Sequence, residues 1–443
     1  MKHVAIGFEV HQPFRVRRDY FWNPRYRGDL VERFFDETRN RDIFERVKRN
    51  CYVPATKIIL EEIDRAEEEG VDLKFFFSLS GTLLEQVERW GSDFLELLRE
   101  LRYTKKVEFL GQTYYHSITG TWEDKTEFRE QVKQHIALMK DLLDYSPSIF
   151  ENTELLTDRS IAKEVEGLGF RGIVLEGKES TLKGRSPNRP YKLKGGNISL
   201  LFRNYRLSDD VAFRFSNKSW DQYPLTAEKF AGWISQSEGY YALIFVDYET
   251  FGEHHSRQTG ILDFLRWLPR ELERRAVETV VPSDVVNESI EEMDLDSLSS
   301  WADVRKDESG WLGNQMQRAY DELVLRSELP SKELGGEFLR TWRYFTTSDN
   351  YYYMYVGEGG PAEVHSYFNA YDSPVEAFIN EFYALSRLLE EELKSLNIDR
   401  EPFFFYKGNR KFNVAWNEKQ VEEILHRDQS LRDHQRFVKE WLQ

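Results

Sequence analysis

The chain has 443 residues, 40% hydrophobic and 31% charged, and no apolar run nears the roughly 18 residues that would suggest a membrane span. A formal net charge of -16 disfavours nucleic-acid phosphate and anionic lipid as partners, because no local basic patch offsets it. The single cysteine, Cys51, excludes an internal disulfide framework and a multi-cysteine metal cluster. The first stretch, MKHVAIGFEVHQPF, has a short apolar run broken by Glu9 and no small-residue cleavage site, so it is expected to be a first core strand of a cytoplasmic protein. From there to about residue 285, β-like runs at 3–10, 73–80, 107–112, 171–176, 198–204, 242–246 and 279–283 alternate with amphipathic helical stretches at 53–69, 82–102, 125–144, 160–168 and 260–275. Such alternation predicts parallel βαβ units, as a barrel or a doubly wound sheet, and the near-continuous apolar strands predict burial on both faces. Beyond residue 286 the period becomes helical, at 311–327, 332–345 and 374–395, with Pro374 suited to a first helical position. The expected organisation is a β/α domain over 1–285 followed by an α-helical domain over 286–443.

In a barrel, functional residues gather at strand C-termini and in the loops that follow. Strand one ends in Glu9, His11, Gln12 and Pro13, and the third runs on into Gly111, Gln112, Tyr114, Tyr115, His116 and Ser117. The segment IFENTELL (149–156) adds Glu151 and Glu154, and ALIFVDYETFGEHH (242–255) opens from an apolar strand into Asp247 and Glu249. Singly, none is specific: a lone His after a strand is more often a hydrogen-bonded core residue, and a lone Glu is usually solvated. Their convergence on one face is the signal, because burying so many charges without a task is costly.

Two chemistries compete for that face. A divalent metal could take His11, His116, Asp247 and His254 or His255, yet no HxH, HxxxH or HxD pair occurs there, and adjacent histidines point to opposite faces of an extended chain. Paired carboxylates fit better and need no cofactor: glycosidic cleavage takes one ionised and one protonated carboxyl flanking the bond, roles that Glu154 and Asp247 can fill. Glu249, two residues beyond Asp247, would share its face and hold sugar or tune the acid. Aromatics make 15% of the chain, with 31 Phe, 23 Tyr and 11 Trp, enough to line a sugar cleft as well as fill a core. Trp122, Trp301 and Trp311 are the candidate stacking platforms, whereas Glu151 and Glu253 are expected to be solvated or to stand behind the reacting groups.

The ordered set HQP (11–13), GQTYYHS (111–117), NTELL (152–156), VDYETFGEH (246–254) and SDNYYYM (348–354) resembles the five motif regions of glycoside hydrolase family 57, particularly its α-amylase branch. SSWADV (299–304), WLGNQMQ (311–317) and VHSYFNAYDSPVEAFIN (364–380) extend the likeness. The resemblance implies an incomplete (β/α)7 TIM-like barrel with a helical domain closing the cleft, acting on α-glucans with retention. It implies Glu154 as nucleophile, Asp247 as general acid/base, and His11, His116, Glu249 and Asp349 as substrate-binding positions, with no metal or other cofactor. Hydrolysis of α-1,4 bonds in starch, glycogen or maltodextrin is the expected reaction; 4-α-glucanotransfer or another α-glycosidase activity of the same family, a metal-dependent deacetylase-like enzyme and a catalytically silent glucan-binding protein are the alternatives. The chain departs from the family pattern where SDH is common, because Asn350 replaces a titratable His.

Overall fold

The computed structural model describes residues 2–20, 28–357, 369–408 and 410–443; the family-like residues 364–368 fall outside them. The chain forms two compact units, one of residues 1–12, 41–116 and 129–301, the other of 13–40, 117–128 and 302–443.

The first unit is organised by a ten-stranded, mostly parallel sheet. Its strands are β1 (His3–Val10), β2 (Phe75–Leu79), β3 (Val107–Leu110), β4 (Ile149–Glu151), β5 (Gly172–Glu176), β6 (Tyr191–Leu193), β7 (Ser199–Arg203), β8 (Tyr241–Asp247), β9 (Glu278–Thr279) and β10 (Glu292–Met293). β1 lies between β2 and β8, β2 pairs β3, β4 pairs β5, β5 pairs β7 and β7 meets β8, all parallel. Past the end of β3, Gly111 bridges to Phe150 of β4, with Gly111 N donating to Ile149 O and Glu151 N to Gly111 O, both at 2.8 Å. Ala5, Phe76, Leu110, Ile149, Val174, Leu201, Leu243 and Phe245, drawn from all seven of these strands, meet in one fully buried cluster. Each large side chain there contributes about 1.5–3 kcal/mol by leaving water. Gly7 is required beside it, since a Cβ would come within 2.1 Å of the Phe76 ring.

The helical expectations need several corrections. Residues 82–102 form two helices, Gly81–Trp90 and Ser92–Thr104, because Gly91 takes φ -129°, ψ 44° and a Cβ there would strike Phe44. Of the run expected as strand at 279–283 only Thr279 is strand, as the end of the two-residue β9, since Pro282 lacks an N–H for the ladder and instead starts the helix Pro282–Val285. β4, β6 and β10, of two or three residues each, are too short to leave a periodic trace.

The second unit contains the helices Gln315–Leu334, Gly336–Phe345 and Pro374–Ser395. Asn314 and Gln317 form a capping box at the first, and Ser373 caps the third. This unit is not wholly helical: β11 (Phe403–Lys407) and β12 (Arg410–Ala415) pair antiparallel. Phe405, Phe412 and Ala415 pack with Ile424 and Leu431 as a separate small core. Elsewhere in this unit Glu127 is buried between Arg343 Nε at 2.7 Å and Lys332 Nζ at 2.9 Å, and these two cations hold its carboxyl low against the opposing effect of burial.

Candidate active site

Strand register brings the carboxylates together in the first unit. Glu9 on β1 stands opposite Asp247 on β8 and Ser78 on β2. Glu151 closes β4, and Glu154 follows it in the single turn Thr153–Leu155. Glu154 holds left-handed backbone at φ 58°, ψ 22°, a conformation costing a non-glycine residue on the order of 1–3 kcal/mol. Its carbonyl accepts from Ser300 Oγ at 2.9 Å and Trp301 N at 3.3 Å, bonds that pin the turn.

Both carboxylate oxygens of Glu154 meet a partner. Trp301 Nε1 donates to Oε2 at 2.7 Å, and His116 Nε2 lies 3.4 Å from Oε1. The Trp301 ring stacks on Phe245 at 5.4 Å and carries the Arg203 guanidinium 5.5 Å from its centroid. Arg203 is itself buried, donating to Phe245 O, Glu176 and Asp209. His116, also at positive φ (48°), has Nδ1 3.0 Å from Gln112 Oε1 and stacks on His11 with ring centroids 3.9 Å apart. His11 Nδ1 is 2.8 Å from Ser80 Oγ, the hydroxyl that caps the helix Gly81–Trp90.

Around this partly exposed carboxylate stand three buried ones: Glu9, Glu151 and Glu249 are 2%, 1% and 3% exposed. Burial is the leading cause that raises each. Glu151 goes to about 8, Glu9 rises well above the ordinary range with help from the charge of Glu151, and Glu249 does so with help from the charge of Asp247. Tyr52 OH donates a hydrogen bond to Glu249 Oε1 and accepts from Gln12 Nε2 at 3.1 Å. Asp247, at the end of β8, remains partly exposed like Glu154.

Five of the six residues singled out in sequence, His11, His116, Glu154, Asp247 and Glu249, lie in this first unit. Asp349 belongs to the second, on the short helix Ser348–Tyr352, where its charge adds to the burial that lifts Glu381 to about 8. Asn350 of the same helix is buried and donates to the carbonyls of Tyr344 and Phe345 at 3.0 and 3.3 Å, so it secures the end of the preceding helix. Of the three tryptophans, Trp301 binds Glu154; Trp122 donates to Asp321, and Trp311 is buried. Glu151 is not solvated, and Glu253 accepts from Asn50 Nδ2 at 2.7 Å. His255 is a structural residue, its Nδ1 2.8 Å from Ser216 Oγ and its Nε2 3.0 Å from two carbonyl oxygens. Tyr52 and Ser78 escaped sequence reasoning; neither belongs to a strand-end cluster of ionisable residues, and no local pattern marks them. Among the described residues, no group of three or more His, Cys, Asp or Glu is arranged to hold a metal ion, and no helix is long and apolar enough to cross a membrane.

The family model for glycosyl hydrolase family 57 matches residues 5–296. A protein of Methanocaldococcus jannaschii named "Putative alpha-amylase" is 37% identical over 414 residues, covering 90% of this chain and 87% of that one. Similar solved structures include a GH57 branching enzyme from Thermococcus kodakaraensis, with TM-score 0.62 at 16% identity over 98% of this chain and 95% of that one. The 4-alpha-glucanotransferase from Thermococcus litoralis gives TM-score 0.54 at 18% identity over 91% of this chain and 59% of that one. At such identities the structural likeness is one of fold.

Proposed function

The chain belongs to glycosyl hydrolase family 57, and on that premise we propose that it cleaves α-1,4-glucosidic bonds in starch-, glycogen- or maltodextrin-like α-glucans by double displacement with retention. The seven parallel strands β1, β2, β3, β4, β5, β7 and β8 are read as an incomplete (β/α)7 barrel with the site at their C-terminal ends. Glu154, ionised, attacks the anomeric carbon; Asp247, protonated, donates to the leaving glycosidic oxygen. The β-linked glucosyl-enzyme is then released by water activated by Asp247. His11, His116, Glu249 and Asp349 are assigned to the sugar.

The observation that carries this reading is the treatment of Glu154. It alone among the clustered glutamates Glu9, Glu151, Glu154 and Glu249 is partly exposed, with a Trp N–H on one oxygen and a His on the other, while the remaining three are buried and biased towards the protonated state. That contrast suits one ionised nucleophile. Transfer to a sugar hydroxyl needs the same two residues, and the solved relatives named above include transfer enzymes.

Incubation with maltoheptaose, with and without EDTA, beside Glu154→Gln, tests the reading. Shorter products that survive EDTA and vanish in the variant support hydrolysis, and longer products support transfer. Product formation that EDTA abolishes, or that Glu154→Gln retains, overturns it.

A further inference from the structure

Glu9 and Glu151 face one another in the interior of the first unit, within hydrogen-bond reach and almost without solvent. Glu9 Oε1 accepts from Gln112 Nε2 at 3.1 Å, and Glu151 Oε2 accepts from Ser78 Oγ at 3.0 Å. The remaining oxygen of Glu9, Oε2, is buried with no N–H or O–H donor among the described residues. A buried acceptor in that state is costly, and two ionised carboxylates in contact at low dielectric repel strongly. One proton held between the two carboxyls removes both penalties, leaving the pair with a single negative charge.

The consequence travels through Gln112. Its Nε2 donates to Glu9 and, at 2.7 Å, to Ser78 Oγ, which fixes the amide with its oxygen turned the other way. That oxygen meets His116 Nδ1 at 3.0 Å, so Nδ1 carries a proton, and Nε2, which faces Glu154 Oε1, donates to the ionised carboxylate when the ring carries both protons as an imidazolium. His116 Nδ1 also lies 3.7 Å from Glu9 Oε1. The other charged groups acting on the pair are Glu154, on Glu151, and Glu249, which Glu9 in turn affects. Nothing in the double-displacement scheme uses Glu9 or Glu151, yet they sit behind its nucleophile.

We propose that Glu9 and Glu151 share one proton and act as positioning residues, setting through Gln112 the ring of His116 and hence the carboxylate of Glu154. This rests on the assignment of Glu154 as nucleophile.

Two measurements on the full-length protein test it. In infrared difference spectra at neutral pH, wild type minus Glu151→Gln should show the deuterium-sensitive carbonyl band of one neutral carboxyl; absence of that band overturns the shared proton. In kinetics on maltoheptaose, Glu151→Leu should lower kcat on the order of 10²-fold with KM changed less than about threefold, as for a misplaced reacting group. Glu151→Gln, whose amide still donates to Glu9, should recover at least about tenfold of that loss. Should Glu151→Leu fail to fold, Gln112→Met, which cuts the relay and leaves both carboxyls, should show the same kcat-only loss. Equal turnover in the Leu and Gln variants, or unchanged kcat in Gln112→Met, overturns the positioning role. If wild type releases no sugar, the functional reading fails, while the infrared band still judges the proton pair.

Discussion

Trp301→Phe isolates one hydrogen bond to the proposed nucleophile. The substitution keeps an aromatic ring against Phe245 and the Arg203 guanidinium and deletes the Nε1–H that donates to Glu154 Oε2 at 2.7 Å. A hydrogen bond to a charged partner contributes about 1.5–3 kcal/mol. If the whole of that value is spent on orienting Glu154, turnover should fall roughly 10- to 160-fold, at 1.36 kcal/mol per decade. KM should move less than about threefold, because the bond is to an enzyme group and not to sugar. The assay is steady-state release of reducing ends from maltoheptaose, with a thermal melt of each protein to confirm the fold. A variant with kcat within about twofold of wild type and an unchanged melting temperature would refute the argument that Trp301 holds Glu154 in place.

Three further outcomes are expected. Glu108 is buried with its carboxyl raised to about 7, chiefly by burial, and accepts from Ser283 N at 2.9 Å. The folded protein therefore keeps a proton that the unfolded chain gives up near pH 4.5, so stability falls as pH rises from about 4.5 to about 7. Denaturant melts across that window should be flatter for Glu108→Gln, by roughly 3 kcal/mol in all at about 1.4 kcal/mol per pH unit; an identical slope would contradict the assignment. Arg203→Met leaves Glu176, 0% exposed, without its cation, and should cost about 3–5 kcal/mol of unfolding free energy measured in urea. Tyr52→Phe removes the hydroxyl donated to buried Glu249 and should cost about 1–3 kcal/mol, read by the same titration.

The periodicity of the chain was enough to place β1, whose predicted range 3–10 is met at His3–Val10, and the helix predicted at 374–395, met at Pro374–Ser395. Long apolar alternation and a Pro at a first turn are local signals, written in neighbouring residues. The break at Gly91, the two-residue β9 and the β11–β12 hairpin were less legible, because short elements give no period and pairing partners are distant in sequence.

The same division holds at the site. Motif order in the sequence pointed to His11, His116, Glu154, Asp247, Glu249 and Asp349, and composition ruled against disulfides and favoured neither nucleic acid nor membrane. Tertiary structure decided which carboxylates are buried. Glu151, expected to be solvated or to stand behind the reacting groups, is 1% exposed, and parallel register together with the Gly111 bridge sets it against Glu9 although 142 residues separate them. Trp301 finds Glu154 across 147 residues, and Tyr52 finds Glu249 across 197. A residue type can be read from its neighbours in the chain. Its solvation and its charge partners are set by what the fold packs around it, and those two quantities govern which carboxyl keeps its proton.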